Sequence, residues 1–326
     1  MAARTRTDTP MPSIAKPSNA KRILCVGMPV RDLIFRIHDL PMRGAKERAD
    51  HFEEISGGNA LNAAVGIARL GGAALFSGPM GDAAEKPAKY IFDQLDAEGI
   101  DHSGIVHMPE LVTPISSIMI DPTGERTIVT FRHPGLWKVK LPDADTLLAG
   151  ISAVLTENRC AEFVTGLCSE ARRRGIPVVV DADQVMSLSE GLLRASSHLI
   201  FSAETLFATA GTDDVEQALR RIARLTPSFV GVTHGAHGMT WLDSEGGLRH
   251  LPSFPVHTVD TLGAGDIFHG GFALAIAEGT GVEEAMRFAA AAAALKCTRF
   301  GGAFAAPTRE EVEALMRQAP VARAKA

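Results

Sequence analysis

Cysteine is scarce in this chain, four in 326 residues, and Cys25, Cys160, Cys168 and Cys297 fall in no CxxC or mixed Cys/His spacing. That excludes a disulfide framework and a zinc site, and fits reduced thiols in a reducing compartment. No apolar run reaches membrane-spanning length; the Ala-rich stretch near residue 290 is bounded by Arg287 and Lys296 and reads as a buried helix. Blocks of basic charge are missing too. With 33 Lys and Arg against 38 Asp and Glu, the formal charge is −5, and nucleic acid is not an expected partner. Residues 1–20 (MAARTRTDTPMPSIAKPSNA) have no apolar centre, so they read as a disordered leader and not a secretion signal. A cytoplasmic location is the expectation. The first apolar run is followed by CVGMPV (Cys25–Val30) where a nicotinamide dehydrogenase would carry GxGxxG, which sets that class aside.

What is present suits one large α/β domain spanning 21–318, with 319–326 as a tail, since no repeat or linker divides the chain. Arg22–Val26 (RILCV) is a buried-strand pattern. From Asp32 to Ile55 the pattern loosens into exposed alternation, which suggests a small sheet outside the main core. Asn59–Leu70 has helical spacing and stops at Gly71–Gly72; Ala73–Phe76 is strand-like, and 88–99 is helical up to Gly99. Ile115–Ile120 and Thr127–Phe131 flank Asp121–Pro122–Thr123–Gly124, a hairpin turn. Two lid pieces are therefore expected, at about 34–56 and 112–136. Beyond residue 140, strands near 153–155, 178–180, 198–201 and 229–233 alternate with helices near 160–174 and 214–224, a parallel βαβ arrangement. Helices near 265–277, 282–296 and 309–317 close the chain, the last two with capping boxes expected from Thr280/Glu283 and Thr308/Glu311.

The string Asp260–Thr261–Leu262–Gly263–Ala264–Gly265–Asp266 follows an apolar stretch and opens the helix at 265. Small residues permit a tight turn there, after which the amides of residues 263–266 point unsatisfied along the helix axis, where the dipole also favours negative charge. Several amides at one point would stabilise a phosphoryl group in transfer, and the carboxylate of Asp266 could take a proton from an attacking hydroxyl. An ordinary helix start with an acidic capping residue is the alternative.

DTLGAGDIFHGGFA (260–273) resembles the C-terminal signature of the ribokinase-like (PfkB) carbohydrate kinases. About two hundred residues earlier, GGNALNAA (57–64), followed by Gly71 and Gly81, resembles the N-terminal signature of the same family. The resemblance runs from about residue 22 to 317. It implies a three-layer α/β/α domain with a mostly parallel central sheet and a small β-sheet lid, and ATP-dependent phosphorylation of a sugar hydroxyl. Residue by residue, it implies Asp266 as the base and Gly263, Ala264 and Gly265 as the anion hole. Asp32, Gly58, Asn59 and Asn62 match sugar-binding positions, and Thr233, Gly235 and Gly238 match the ATP-lining loop.

FSAE (201–204) and ALKCTRFGG (294–302) look like bacterial kinases of ketohexose derivatives such as 6-deoxy-6-sulfofructose. On that pattern Lys46 and Arg159 would hold an anionic substituent, Thr130 occupies the third position, and Arg132 is a further candidate. A solvated surface charge is the other reading of each cation. For magnesium the family often carries Asn-x-x-Glu; here Ala203 and Leu206 stand at those positions, leaving Glu204 and, after the strand at 178–180, Asp181 and Asp183 to act through water. Potassium at an Asp equivalent to Asp260, and a homodimer formed through the lid, are also implied. Ribose, nucleosides and 2-keto-3-deoxygluconate remain open as acceptors, as does a non-catalytic sugar- or nucleotide-binding regulator on the same fold.

Overall fold

A computed structural model describes residues 19–122, 126–188 and 191–318. The tail at 319–326, residues 1–18 of the leader and the tip of the hairpin turn at 123–125 lie outside the described residues. Among the described residues thirteen strands form two sheets. They are β1 (Arg22–Val26), β2 (Val30–Arg36), β3 (His51–Gly57), β4 (Ala73–Met80), β5 (Asp101–His107), β6 (Ile115–Ile120), β7 (Arg126–Phe131), β8 (Ala153–Glu157), β9 (Val178–Ala182), β10 (His198–Ser202), β11 (Phe229–Thr233), β12 (Met239–Leu242) and β13 (Leu248–Leu251). The helices are α1 (Asn59–Arg69), α2 (Lys86–Ala97), α3 (Ala144–Leu148), α4 (Ala161–Arg173), α5 (Gly191–Ala195), α6 (Ala203–Ala210), α7 (Val215–Ala223), α8 (Ala264–Ala277), α9 (Val282–Cys297) and α10 (Arg309–Gln318).

The larger sheet has nine strands in the order β13-β12-β11-β10-β9-β8-β1-β4-β5, parallel except for the β11-β12-β13 meander. Its strands are apolar on both faces, as a doubly covered parallel sheet requires. Alternation sorts the side chains: Ile23, Cys25, Phe76 and Leu155 pack towards α1, α8 and α9, while Leu24, Val26, Leu75 and Val154 pack in the opposite layer with α4 and α7 residues. The result is the expected α/β/α sandwich. Strand order changes direction around β1, and a crevice at such a switch point, outside the carboxyl ends of the strands, is where open α/β sheets bind ligands.

The smaller sheet, β3-β2-β6-β7, overhangs that crevice. Its inner face is set by the pairings Asp32↔Ser116 and Ser116↔Thr130, which align three polar side chains in one row.

Helix α8 is buried from Ile267 to Ala275. A Cβ at Gly270 would stand 2.6 Å from the carbonyl oxygen of Ala63 in α1, so only glycine permits this helix crossing. The close crossing brings together the N-terminal turns of α1 and α8.

Two local expectations diverge. The Thr308/Glu311 box forms, with Thr308 N donating to Glu311 Oε2 at 2.8 Å and Glu311 N to Thr308 Oγ1 at 3.4 Å. The Thr280/Glu283 box does not: Gly281 is the N-cap of α9, and Thr280 N is already used to close α8 by donating to Ala275 O at 3.0 Å. Strands β5 and β13, which are mostly exposed or half-buried and carry several polar residues, and β12, whose four residues MTWL are too short a run to stand out, were not expected.

Candidate active site

A cavity of about 700 Å³ lies between the carboxyl edge of the larger sheet and the inner face of the smaller one. The small sheet contributes Asp32, Ser116, Ile118 and Thr130, and the chain just beyond β7 contributes Arg132. Gly58, Asn59 and Asn62 line it from the start of α1, Arg159 and Asp183 from the ends of β8 and β9, and Gly263, Gly265 and Asp266 from the turn into α8.

The two glycine-rich signatures meet here. Asn62 Nδ2 donates to Asp266 Oδ2 at 2.7 Å, a contact across 204 residues of sequence. Asn59 Nδ2 reaches Asp181 Oδ2 at 3.1 Å and Asp183 Oδ2 at 3.0 Å. Arg159 Nη2 lies 2.5 Å from Asp183 Oδ2, and its Nε 3.8 Å from Glu157 Oε2. Asn59 is thereby a linker between helix start and strand end. His269, to which the sequence assigned no role, is buried one turn into α8, with Nδ1 2.8 Å from Gly265 O and Nε2 3.6 Å from Asp181 Oδ1.

Burial, and next the charge of Asp181, pushes the Asp266 carboxyl well above the ordinary range, with the Asn62 hydrogen bond opposing. Burial and the charge of Asp183 raise Asp181 in the same way. Glu157 is pushed up to about 7 by burial, against the charge of Arg159, and accepts from Met28 N at 3.2 Å. Asp32 rises to about 6, again by burial, partly offset by its hydrogen bond with Ser116 and the charge of Arg132. Of these carboxyls Asp32 and Asp266 line the cavity, with Asp181 and Glu157 buried behind it, and perturbed carboxyls in a cleft point to a functional site.

The turn into α8 differs from expectation in one respect. Ala264 N is satisfied, donating to Thr261 O at 3.2 Å, whereas the amides of Gly263, Gly265 and Asp266 make no backbone hydrogen bond. Gly263 caps the helix at φ +77°, in the left-handed region, and a Cβ on Gly265 would meet nothing within 4 Å.

Not every expected residue comes to the cavity. Lys46 lies on the exposed β2–β3 loop and does not line it. The β2–β3 register explains this: Val30 pairs with Gly57 beside the cavity, while the loop leaves from the opposite end, where Arg36 pairs with His51. Glu204 is exposed in the first turn of α6 and also lies off the cavity lining. Thr233, Gly235 and Gly238 sit at and beyond the end of β11, on the same carboxyl edge but two strands along from β9, outside this cavity.

No cluster of three or more His, Cys, Asp or Glu suited to hold a metal occurs among the described residues. Asp183 Oδ1 is, however, buried without a partner, a donor suited to a hydrated magnesium held mainly by phosphates. Potassium on Asp260 does not fit: Lys296 Nζ occupies both its carbonyl oxygen, at 2.8 Å, and its Oδ2, at 2.9 Å.

Comparison with known proteins agrees with this geometry. Ribokinase of Bacillus subtilis (strain 168) is 28% identical over 303 residues, covering 91% of this chain and 99% of that protein. Ketohexokinase of Mus musculus is 26% identical, covering 85% of this chain and 96% of its own. A crystal structure from Agrobacterium tumefaciens has a TM-score of 0.87 at 38% identity, covering 92% of this chain and 98% of that one. Arabidopsis thaliana ribokinase complexed with ribose and ATP has a TM-score of 0.81 at 25% identity, covering 91% and 98%. A cleft closed by a small sheet, on this sandwich and among these relatives, defines an ATP-dependent sugar kinase. The family model for pfkB family carbohydrate kinases matches residues 20–309, and the chain belongs to that family.

Proposed function

We propose that Asp266 is the general base, and that the free amides of Gly263, Gly265 and Asp266 form the anion hole, for phosphorylation of a ketohexose or ketohexose derivative. The observation that carries this reading is the convergence, in one cavity, of the half-buried Asp266 carboxylate, held by Asn62, and amides without a backbone partner at a helix N-terminus. The acceptor oxygen attacks the γ-phosphorus of ATP, the bond from that phosphorus to the ADP oxygen breaks, and the hydroxyl proton passes to Asp266. Asn62 holds the carboxylate in place. A carboxyl with raised affinity for protons is a better base than an ordinary one.

Asp32 and Asn59 provide carboxylate and amide groups for sugar hydroxyls. ATP would lie along the β11 loop at Thr233, Gly235 and Gly238, whose glycines adopt φ of +53° and +88° and so keep the backbone free of side chains. Magnesium, held by Asp183 through water and by the phosphates, would neutralise charge on the transferring group.

Arg132 favours an acceptor with an anionic substituent. It lines the cavity, and its Nε is buried without a partner, whereas Arg159 is engaged by Asp183 and Glu157. With Arg132→Met we expect KM for an anionic ketohexose derivative to rise about 10- to 100-fold, the worth of a charged hydrogen bond, with KM for the neutral sugar unchanged. A coupled ADP-release assay over ketohexoses, their anionic derivatives, ribose, nucleosides and keto-deoxy acids measures both. Equal losses on neutral and anionic acceptors would remove the anionic reading, and turnover confined to ribose or nucleosides would replace the acceptor class.

The outer face of the small sheet supports a homodimer through the lid. Phe52, Val129 and Phe131 are 52%, 64% and 49% exposed there, on or beside open edge strands. Sedimentation of wild type is expected to give a dimer and of Val129→Lys a monomer; a monomeric wild type would refute the pairing.

A further inference from the structure

Lysine is almost never fully buried unless paired, because an unpaired ammonium in the interior is costly. Lys296, in the last turn of α9, is 0% exposed. Its Nζ makes two bonds, to Asp260 O at 2.8 Å and Asp260 Oδ2 at 2.9 Å. The remaining capacity of that carboxylate is taken by backbone: Oδ1 accepts from Leu262 N at 2.8 Å, and Oδ2 from Gly301 N at 3.3 Å and Gly302 N at 3.2 Å.

Asp260 therefore fastens two segments. One is the turn that leads through Gly263 into α8, and the other is the loop at 301–302. These segments touch, since a Cβ on Gly263 would stand 3.2 Å from Ala303 N. The charge at the junction is balanced by Lys296 itself. A second cation at Asp260 would find both of these oxygens occupied and would face the ammonium at short range in a poorly screened interior.

We propose that Lys296 is a covalently tethered cation that does the work of a bound monovalent ion, holding the Asp260 turn so that the anion hole is formed without potassium. This rests on the reading of the Gly263–Asp266 turn as the anion hole. Lys296 is a positioning residue, acting through Asp260 and not on the substrate.

The test uses purified full-length protein in matched chloride buffers of potassium, sodium, ammonium or tetramethylammonium at constant ionic strength. Thermal melting without substrates is the first readout, and ADP formation with Mg-ATP and the best acceptor is the second. Wild type is expected to show the same melting midpoint and the same rate in all four salts. Lys296→Ala is expected to melt lower in tetramethylammonium and to lose about 10²- to 10³-fold in rate there, as a displaced oxyanion donor would cause. Potassium or ammonium, by entering the vacated ammonium position, should restore both in a saturable way. A saturable, potassium-specific gain in the wild-type midpoint or rate overturns the proposal, and so does a Lys296→Ala protein as stable and active as wild type in tetramethylammonium. If Lys296→Ala fails to fold, the wild-type salt series still decides. Absence of turnover with every acceptor would count against the kinase chemistry, while the melting series would still report on Lys296.

Discussion

Asp266→Asn is expected to lower turnover about 10²- to 10⁴-fold, the usual contribution of a positioned general base, while sugar and nucleotide binding stay measurable. Asparagine preserves the shape and can still meet Asn62, so a lost rate reports the missing proton acceptor. The same substitution should stabilise the ligand-free protein at mildly alkaline pH. Burial and the neighbouring Asp181 raise the folded pKa of Asp266 above its unfolded value. A group shifted in that direction stabilises the fold while protonated, and that stability is lost as pH rises through the folded pKa. Asp32 and Glu157, raised to about 6 and about 7, act with the same sign. Melting midpoints measured from acid to mildly alkaline pH should therefore fall less steeply for Asp266→Asn than for wild type. The acid limb of the pH profile of kcat/KM should also move to lower pH in Asp181→Asn, because the like charge that raises Asp266 is gone. An unaltered rate in Asp266→Asn would eliminate the base.

Gly263→Val carries the second large effect. Gly263 sits at φ +77°, where a β-branched residue is strained by about 1–3 kcal/mol. Its new Cβ would also press on Ala303 N at 3.2 Å. Relief requires the turn to move, which carries the amides of Gly265 and Asp266 away from the point they share. We expect kcat to fall about 10²- to 10³-fold, the cost of losing an oxyanion donor, with KM for the acceptor nearly unchanged because Asp32 and Asn59 are untouched. Gly265→Ala is the control for the fold: its Cβ meets nothing within 4 Å, so the melting midpoint should match wild type. Steady-state kinetics and melting of both variants check this. A Gly263→Val enzyme with normal kcat would show that the turn is not the anion hole.

Much of the architecture was legible because each strand of a covered parallel sheet is a short apolar run and each crossover helix has its own period. The first strand, the βαβ alternation after residue 140 and the two pieces of the small sheet all follow from local pattern. Strand β5 was missed because DHSGIVH, at a sheet edge, is mostly polar, and β12 and β13 because an edge meander carries no continuous apolar run. Capping was only half legible: Thr308 and Thr280 have similar surroundings in sequence, but Thr280 N is already committed to the preceding helix.

From sequence alone came the parallel βαβ pattern and the two pieces of the small sheet, and the resemblance of GGNALN and DTLGAGD to the two signatures of one kinase family implied the sandwich and its lid. Which groups meet was decided by tertiary structure. The α1–α8 crossing through Gly270 sets Asn62 on Asp266, the strand register swings Lys46 away from the cavity, and the β7 exit leaves Arg132 Nε without a hydrogen-bond partner within it. Lys296, which in the sequence merely bounds an apolar helix, becomes a buried counter-ion to Asp260. These outcomes depend on contacts between residues far apart in the chain, and no local pattern encodes whether a polar side chain will find a partner or be left facing an open cleft.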